Sequence, residues 1–233
     1  MIRWDGPGGY VVAFTTRRGG VSSGPYESLN LGLLTDDEPA NVEANRRRVC
    51  ASVGADPERV AMNRQVHGAT VNRAVAGRRG TPGDGLWTEE AELPLLKVTA
   101  DCLPIALVRT NGTPGLAVLH AGRLGLLEGI VEAGVATLGR GARAVIGPGI
   151  GPCCYEVGPE VAEPFVSRFG GDVARGRNLD LWTAAERALR RAGVEQVDRV
   201  DSCTRCNPQL FFSHRRSVPY RHGTQGVIGA LAG

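Results

Sequence analysis

Residues 95–108 read LLKVTADCLPIALV, and residues 116–122 read LAVLHAG. Leu95 to Ala100 and Leu116 to His120 are apolar runs of strand length, and a third apolar run begins at Leu103. Between the first run and the third sit Asp101 and Cys102, followed by Pro104. A buried free cysteine needs no explanation by itself, because it packs like a small hydrophobe. The aspartate beside it does, because an unpaired carboxylate is costly to bury.

Outward from this stretch, strand-like runs alternate with helical ones. Tyr10 to Thr16 (YVVAFTT) reads as a strand and leads into a Gly-rich loop, RRGGVSSGPYESLNLG, about as long as a compact domain tolerates without a function. Asp37 or Glu38 is expected to cap a helix with Pro39 in its first turn, ending near Gly54. Residues 65 to 75 read as extended, and RRGTPGDG as a turn. From Gly122 the segment RLGLLEGIVEAGVATLG has helical spacing, and RAVIG reads as a strand ending at Gly147. Asp180 is the expected N-cap of DLWTAAERALRRAG, with Gly193 just past its end. Further strands are expected at 197–201, 209–213 and 225–231. Interspersed strands and helices predict an α/β or α+β fold with mixed sheets, in one domain over residues 1–233.

Bulk composition narrows the function. The chain has 233 residues, 42% hydrophobic and 22% charged, enough for a sizeable core without disulfides. A net charge of +3 without a run of five like charges gives no reason to expect a nucleic-acid partner. Lys97 is the sole lysine, so arginine supplies nearly all the positive charge. The N-terminal MIRWDGPGGYVV lacks the pattern of a signal peptide, and no apolar stretch approaches a membrane span. A cytoplasmic protein is therefore expected, without a membrane partner, as a monomer or small homo-oligomer. Its six cysteines are then read as packed, metal-bound or reactive.

Of the four histidines, His67, His120, His214 and His222, two sit in telling places. His67 lies in RQVHGATV, in an expected extended run, and His120 ends the strand LAVLH. Cys102 follows the strand LLKVTA. Cys102 and His120 are expected at strand ends, the edge where α/β sheets bind ligands. Two imidazoles and a thiolate make a zinc set with its fourth position open. Spacing does not require this, and two satisfied core histidines with a packed thiol fit it too. The CxxC of SCTRCNP, Cys203 and Cys206, lacks a second pair nearby. Cys153 and Cys154 are distant in sequence and vicinal, a poor chelate for one ion, so packing is the simpler reading. GPGIGPCCYEVG fits neither a P-loop nor a dinucleotide fingerprint. Arg215, Arg216 and Arg221 lie close together in FFSHRRSVPYRHG, which suits a phosphate or a solvated face.

These pieces together resemble one family, the YfiH-like proteins, also called the laccase-domain or polyphenol oxidase family, of purine nucleoside phosphorylase type. The matching segments are FTTRRGGVSSGPYESLNLG, NVEANRRRV, RQVHGATV, TADCLPIAL, LHAG, IGPGIGPCCYEVG, DLWTAAERALRRAGV, SCTRC and FFSHRR, in the right order along nearly the whole chain. The resemblance implies the YfiH-like layered fold and a zinc ion held by His67, Cys102 and His120. It implies Asp101 as a catalytic or supporting group beside them. It also implies phosphorolysis of adenosine, inosine and S-methyl-5′-thioadenosine, with adenosine deaminase activity, so that purine nucleoside and phosphate are the expected partners. Arg17, Asn45 and Arg46 match the family's N-terminal pattern and become candidate substrate-binding residues.

One departure stands out. The family's histidine motif continues as HAGWRG, and here it reads HAGRLG, which puts Arg123 one position early. Neighbouring helix positions point about 100° apart, so Arg123 would meet an anion from a different direction. Three other functions compete. A peptidoglycan-precursor editing amidase could use the same metal, or Cys102 as nucleophile with a histidine base. A copper-dependent polyphenol oxidase of the multicopper kind would exhaust all four histidines, so copper is the lesser expectation. A zinc-dependent scaffold would need a fourth protein ligand.

Overall fold

A computed structural model of the chain describes residues 1–217 and 221–233. In chain order the strands are β1 Ile2–Arg3, β2 Tyr10–Phe14, β3 Asn63–Arg64, β4 Val71–Arg73, β5 Thr81–Pro82, β6 Gly85–Thr88 and β7 Leu95–Thr99. They continue as β8 Leu103–Arg109, β9 Leu116–Ala121, β10 Ala142–Ile146, β11 Ala174–Arg175, β12 Asn178–Leu179, β13 Gln196–Arg199 and β14 Gln225–Leu231. The helices are α1 Pro39–Ser52, α2 Arg123–Glu128, α3 Ile130–Leu138, α4 Pro159–Phe169 and α5 Leu181–Arg191.

Two sheets dominate. One has the order β1-β2-β14-β7, all antiparallel, and the other the mixed order β13-β10-β8-β9-β6-β4. Because side chains alternate across a strand, the apolar runs around residue 100 serve two cores at once. On β8, Ala106 and Val108 face the other sheet, together with Leu95, Phe14 and Val227. Leu103, Ile105 and Leu107 face the helices, packing with Ile130 of α3 and Phe165 of α4. The far side of the first sheet, with Leu96 and Ile228, is covered by Val49 and Cys50 of α1. The layers therefore run helix, sheet, sheet, helix. With both faces of each sheet covered, its strands are near-continuously apolar.

Several local expectations are corrected. Residues 65 to 75 are not one extended run, since only β4 is a strand and His67 has φ 62. The helix from Gly122 breaks at Gly129, where φ is 94, into α2 and α3. Residues 209–213 form no strand: Gln225 bonds the backbone N–H and carbonyl of Phe212 through its side-chain amide instead. Helix α4 was not read from the sequence, because its Pro164 and flanking glycines hide the period. At α5, Asp180 does cap, accepting the Thr183 N–H at 3.0 Å. Gly193, with φ 91, lets the N–H groups of Gly193 and Val194 reach the carbonyls of Arg190 and Leu189, a Schellman ending. Among the described residues, no helix is long and apolar enough to cross a membrane.

Candidate metal centre and cleft

The chain leaves β7 in one sheet and enters β8 in the other through three residues, Ala100, Asp101 and Cys102. So tight a crossing needs a backbone in the left-handed region, and Asp101 takes it with φ 87. Its surroundings hold it there. The Asp101 carbonyl accepts from the Ile150 N–H at 2.8 Å, one carboxylate oxygen from the Thr204 hydroxyl at 2.5 Å, and the other from the Arg215 N–H at 2.7 Å. Asp101 therefore borders the cleft with both oxygens engaged. Of the two roles expected for Asp101, these bonds suit the supporting one.

Cys102 follows at the start of β8. In the antiparallel register Leu103 faces Ala121 and Pro104 faces His120. Cys102 and His120 are thus neighbours because β8 begins where its antiparallel partner β9 ends. His67 arrives from the turn before β4. One ligand atom each from His67, Cys102 and His120 lie within 4.8 Å of one another, and the two imidazoles meet edge to face with centroids 4.9 Å apart.

A residue absent from the sequence reading organises this trio. Asp84, in the GDG turn before β6, has no solvent exposure. Its carboxylate accepts the N–H groups of Val66, His67 and Gly68 at 3.0, 3.0 and 2.9 Å, and lies 2.8 Å from Nδ1 of His120. The three amides explain how His67 sustains its left-handed φ. The bond to Nδ1 leaves Nε2 of His120 as the free ring nitrogen, the arrangement by which carboxylates orient metal-ligating histidines. Burial alone would raise the Asp84 pKa, but the bonds from His120, Val66 and Gly68 outweigh it and hold it at about 2. Its only sequence signal was an acid between two glycines.

The donor set fits a cation. Burial, with Asp101 and Asp84 nearby, pushes the Cys102 thiol up to about 12. Burial likewise lowers His120, against the pull of Asp84, so both donors stay uncharged without a cation. A divalent metal is what converts such a thiol to a thiolate. Space is also reserved around it. A Cβ on Gly122 would lie 2.9 Å from the Cys102 sulfur and 3.3 Å from the His67 ring. Gly122→Ala is accordingly expected to weaken metal retention roughly tenfold, in the range of groups that orient ligands. Equilibrium dialysis against a chelator checks this, and unchanged retention would contradict it.

The trio opens into a cleft of about 1290 Å³, ample for a nucleoside and an anion. Its walls include Arg123, Leu124, Tyr155 and Arg215, and all four histidines border it. Nδ1 of His214 lies 3.1 Å from Nε2 of His222. Arg123 is exposed, with no hydrogen bond or ion pair among the described residues. Arg215 stacks 5.1 Å from the Tyr155 ring centroid and donates to the Glu156 carbonyl at 2.8 Å.

The other expected substrate residues are engaged within the chain. Arg17 lies outside the cleft lining, donating to the carbonyls of Glu27 and Pro208 over the Phe212 ring. Asn45 is wholly buried and knits the Gly-rich loop, donating to Ser22, Ser28 and Asn30 and accepting from the Val21 N–H. Arg46 borders the cleft, but its guanidinium is engaged by the Leu31 carbonyl and Glu43. Arg216 binds the carbonyls of Thr204, Arg205 and Phe211, and Arg221 stands 3.9 Å from Asp36. Of the late arginine group, Arg215 alone lines the cleft.

The sole lysine lies behind the centre. Lys97 is 1% exposed, donates to the Gly83 carbonyl at 3.2 Å, and is lowered to about 7 by burial, with Asp84 opposing. An amine lowered from 10.5 sheds its proton on folding between those values, so the unfolded chain binds more protons there. Stability should therefore rise with pH from about 7 towards 10.5, and Lys97→Met should flatten that rise. Melting temperatures of both proteins at pH 7 and 9.5 check it, and parallel pH dependences would contradict it.

Comparison with known proteins adds to this geometry. The family model described as multi-copper polyphenol oxidoreductase laccase matches residues 11–232. Purine nucleoside phosphorylase PA4543 of Pseudomonas aeruginosa is 37% identical over 225 residues, covering 92% of this chain and 91% of its own. Purine nucleoside phosphorylase YfiH of Escherichia coli is 35% identical over 233 residues, with coverages of 92% and 91%. The crystal structure of YlmD from Geobacillus stearothermophilus is similar with a TM-score of 0.89 at 32% identity, covering 97% of this chain and 93% of that one.

Proposed function

The chain belongs to the laccase-like YfiH family, and from that premise we propose that it is a zinc-dependent purine nucleoside phosphorylase. The observation that carries the proposal is the convergence of His67, Cys102 and His120 in the lining of a nucleoside-sized cleft that also includes Arg123. Zinc bound by these three residues would supply Lewis acidity at an open coordination position.

The protein's own residues do the rest. Asp84 holds the His120 ring and the His67 backbone, so the donors need no reorganisation on binding. Asp101 and its partners Thr204 and Arg215 keep Cys102 at the crossing. Arg123 and Arg215, both in the cleft wall, orient phosphate. A phosphate oxygen forms the bond to C1′ as the C1′–N9 bond breaks. The electron pair leaves with the purine, which takes up a proton. Adenosine, inosine and S-methyl-5′-thioadenosine are the proposed substrates, with deamination of adenosine as a companion activity in the same cleft. The amidase reading with Cys102 as a free nucleophile finds less support, because burial and two carboxylates oppose its thiolate.

The test is a zinc-quantified preparation incubated with adenosine, with and without phosphate, its products separated by chromatography. Adenine and ribose 1-phosphate are expected only when phosphate is present. Inosine alone would replace phosphorolysis with deamination, and no product from folded, zinc-loaded protein would overturn the nucleoside reading. Arg123→Ala is expected to raise the KM for phosphate by about 10- to 100-fold, matching the loss of one charge-assisted contact. An unchanged KM would remove Arg123 from the phosphate site.

A further inference from the structure

Beyond the Asp101 loop lies a second group of metal-ligating side chains. The sulfurs of Cys153, Cys154, Cys203 and Cys206 all lie within 4.8 Å of one another. The Cys206 sulfur is 3.5 Å from that of Cys153 and 3.3 Å from that of Cys154. A tetrahedral zinc with bonds of about 2.3 Å separates its sulfurs by about 3.8 Å, so the four atoms already surround the right volume. A disulfide would join only two of them and leave the others crowded.

The backbone favours a thiolate at Cys203. Residues 203–206, Cys-Thr-Arg-Cys, curl into a turn around the Cys203 sulfur. The N–H groups of Gly151, at 3.3 Å, and of Arg205 and Cys206 are directed at that sulfur. Neutral thiols are weak acceptors and draw few such donors. The Arg216 guanidinium, held by the carbonyls of Thr204 and Arg205, adds a positive charge beside the group. The objection to vicinal cysteines also falls. The N–H groups of Cys154 and Tyr155 both bond the Gly151 carbonyl, at 2.9 and 3.0 Å. That turn lets both neighbouring sulfurs reach Cys206.

We propose that Cys153, Cys154, Cys203 and Cys206 form a closed tetrathiolate zinc site, independent of the His67, Cys102 and His120 centre. Binding zinc releases the thiol protons to solvent and moves no electrons. With four protein ligands the site is structural. It clips the 149–155 loop to the 203–206 turn. These are the segments that hold Asp101, through Ile150 and Thr204, and that carry Tyr155 into the cleft wall.

The test counts zinc per chain in full-length protein purified without chelator, in the wild type, His120→Ala and Cys206→Ser. About two zinc ions are expected in the wild type and about one in each variant. A single zinc that survives His120→Ala but leaves with Cys206→Ser would support this site while removing the other. A single zinc lost with His120→Ala would overturn the proposal. Should Cys206→Ser fail to fold, alkylation of the wild type decides. Cys153 and Cys206, both exposed, should resist iodoacetamide until zinc is stripped by a chelator. Ready alkylation of zinc-replete protein, or a disulfide within the group found by mass spectrometry, would overturn it.

Discussion

Cys102→Ala is expected to lower the proposed phosphorolysis of adenosine at least ~10³-fold while the chain stays folded, because several kcal/mol of transition-state stabilisation would leave with the cation. The reason is the economy of the donor set. Three residues converge, and losing the sulfur leaves two imidazoles, one of them exposed on a turn. Folding survives because the crossing is held by Asp101 rather than by the sulfur: its carbonyl and both carboxylate oxygens bond Ile150, Thr204 and Arg215. Deleting one small buried sulfur costs on the order of 1 kcal/mol. The checks are turnover, metal content and circular dichroism. Full activity would remove Cys102 from the metal site. An unfolded chain would make the site structural and favour the scaffold reading.

The largest loss of stability is expected at Asp84→Asn. Four N–H donors converge on this carboxylate, and an amide group would turn one of its two acceptor oxygens into a donor facing donors. Breaking such a buried charged network costs about 3–5 kcal/mol. The melting temperature should fall sharply, and metal affinity should drop roughly 10- to 100-fold as the His120 ring loses its orientation. The wild-type pH dependence follows from the same group. With its pKa depressed from 3.8 to about 2, Asp84 adds stability that is complete above pH 3.8 and disappears as the pH falls through about 2. Metal-stripped protein should show this acid limb, and the variant should lack it. A variant as stable as the wild type would mean that the Asp84 bonds contribute nothing net.

Legibility in the sequence followed the range of the interactions. The strands around residue 100, the α5 cap at Asp180 and its ending at Gly193 were readable because period, capping and glycine conformation act over a few residues. The segment 65–75 misled because His67 is bent by a carboxylate 17 residues further along, which no local window reveals. Arg17 and Asn45 also meet partners that no local window reveals. Their residue types suit substrate binding, but a long loop with many unpaired backbone groups also needs such donors and acceptors.

By itself the sequence determined a mixed-sheet fold of interspersed strands and helices, through short apolar runs alternating with helical spacings, and it supplied Cys and His residues able to act as donors. Only the tertiary structure decided which donors meet. The β8–β9 register sets Cys102 beside His120, and the buried Asp84 turns His67 and His120 towards them. The chain path brings two distant cysteine pairs within bonding range of one ion. Such meetings depend on how the two sheets are joined and staggered, and those are long-range quantities without a local pattern.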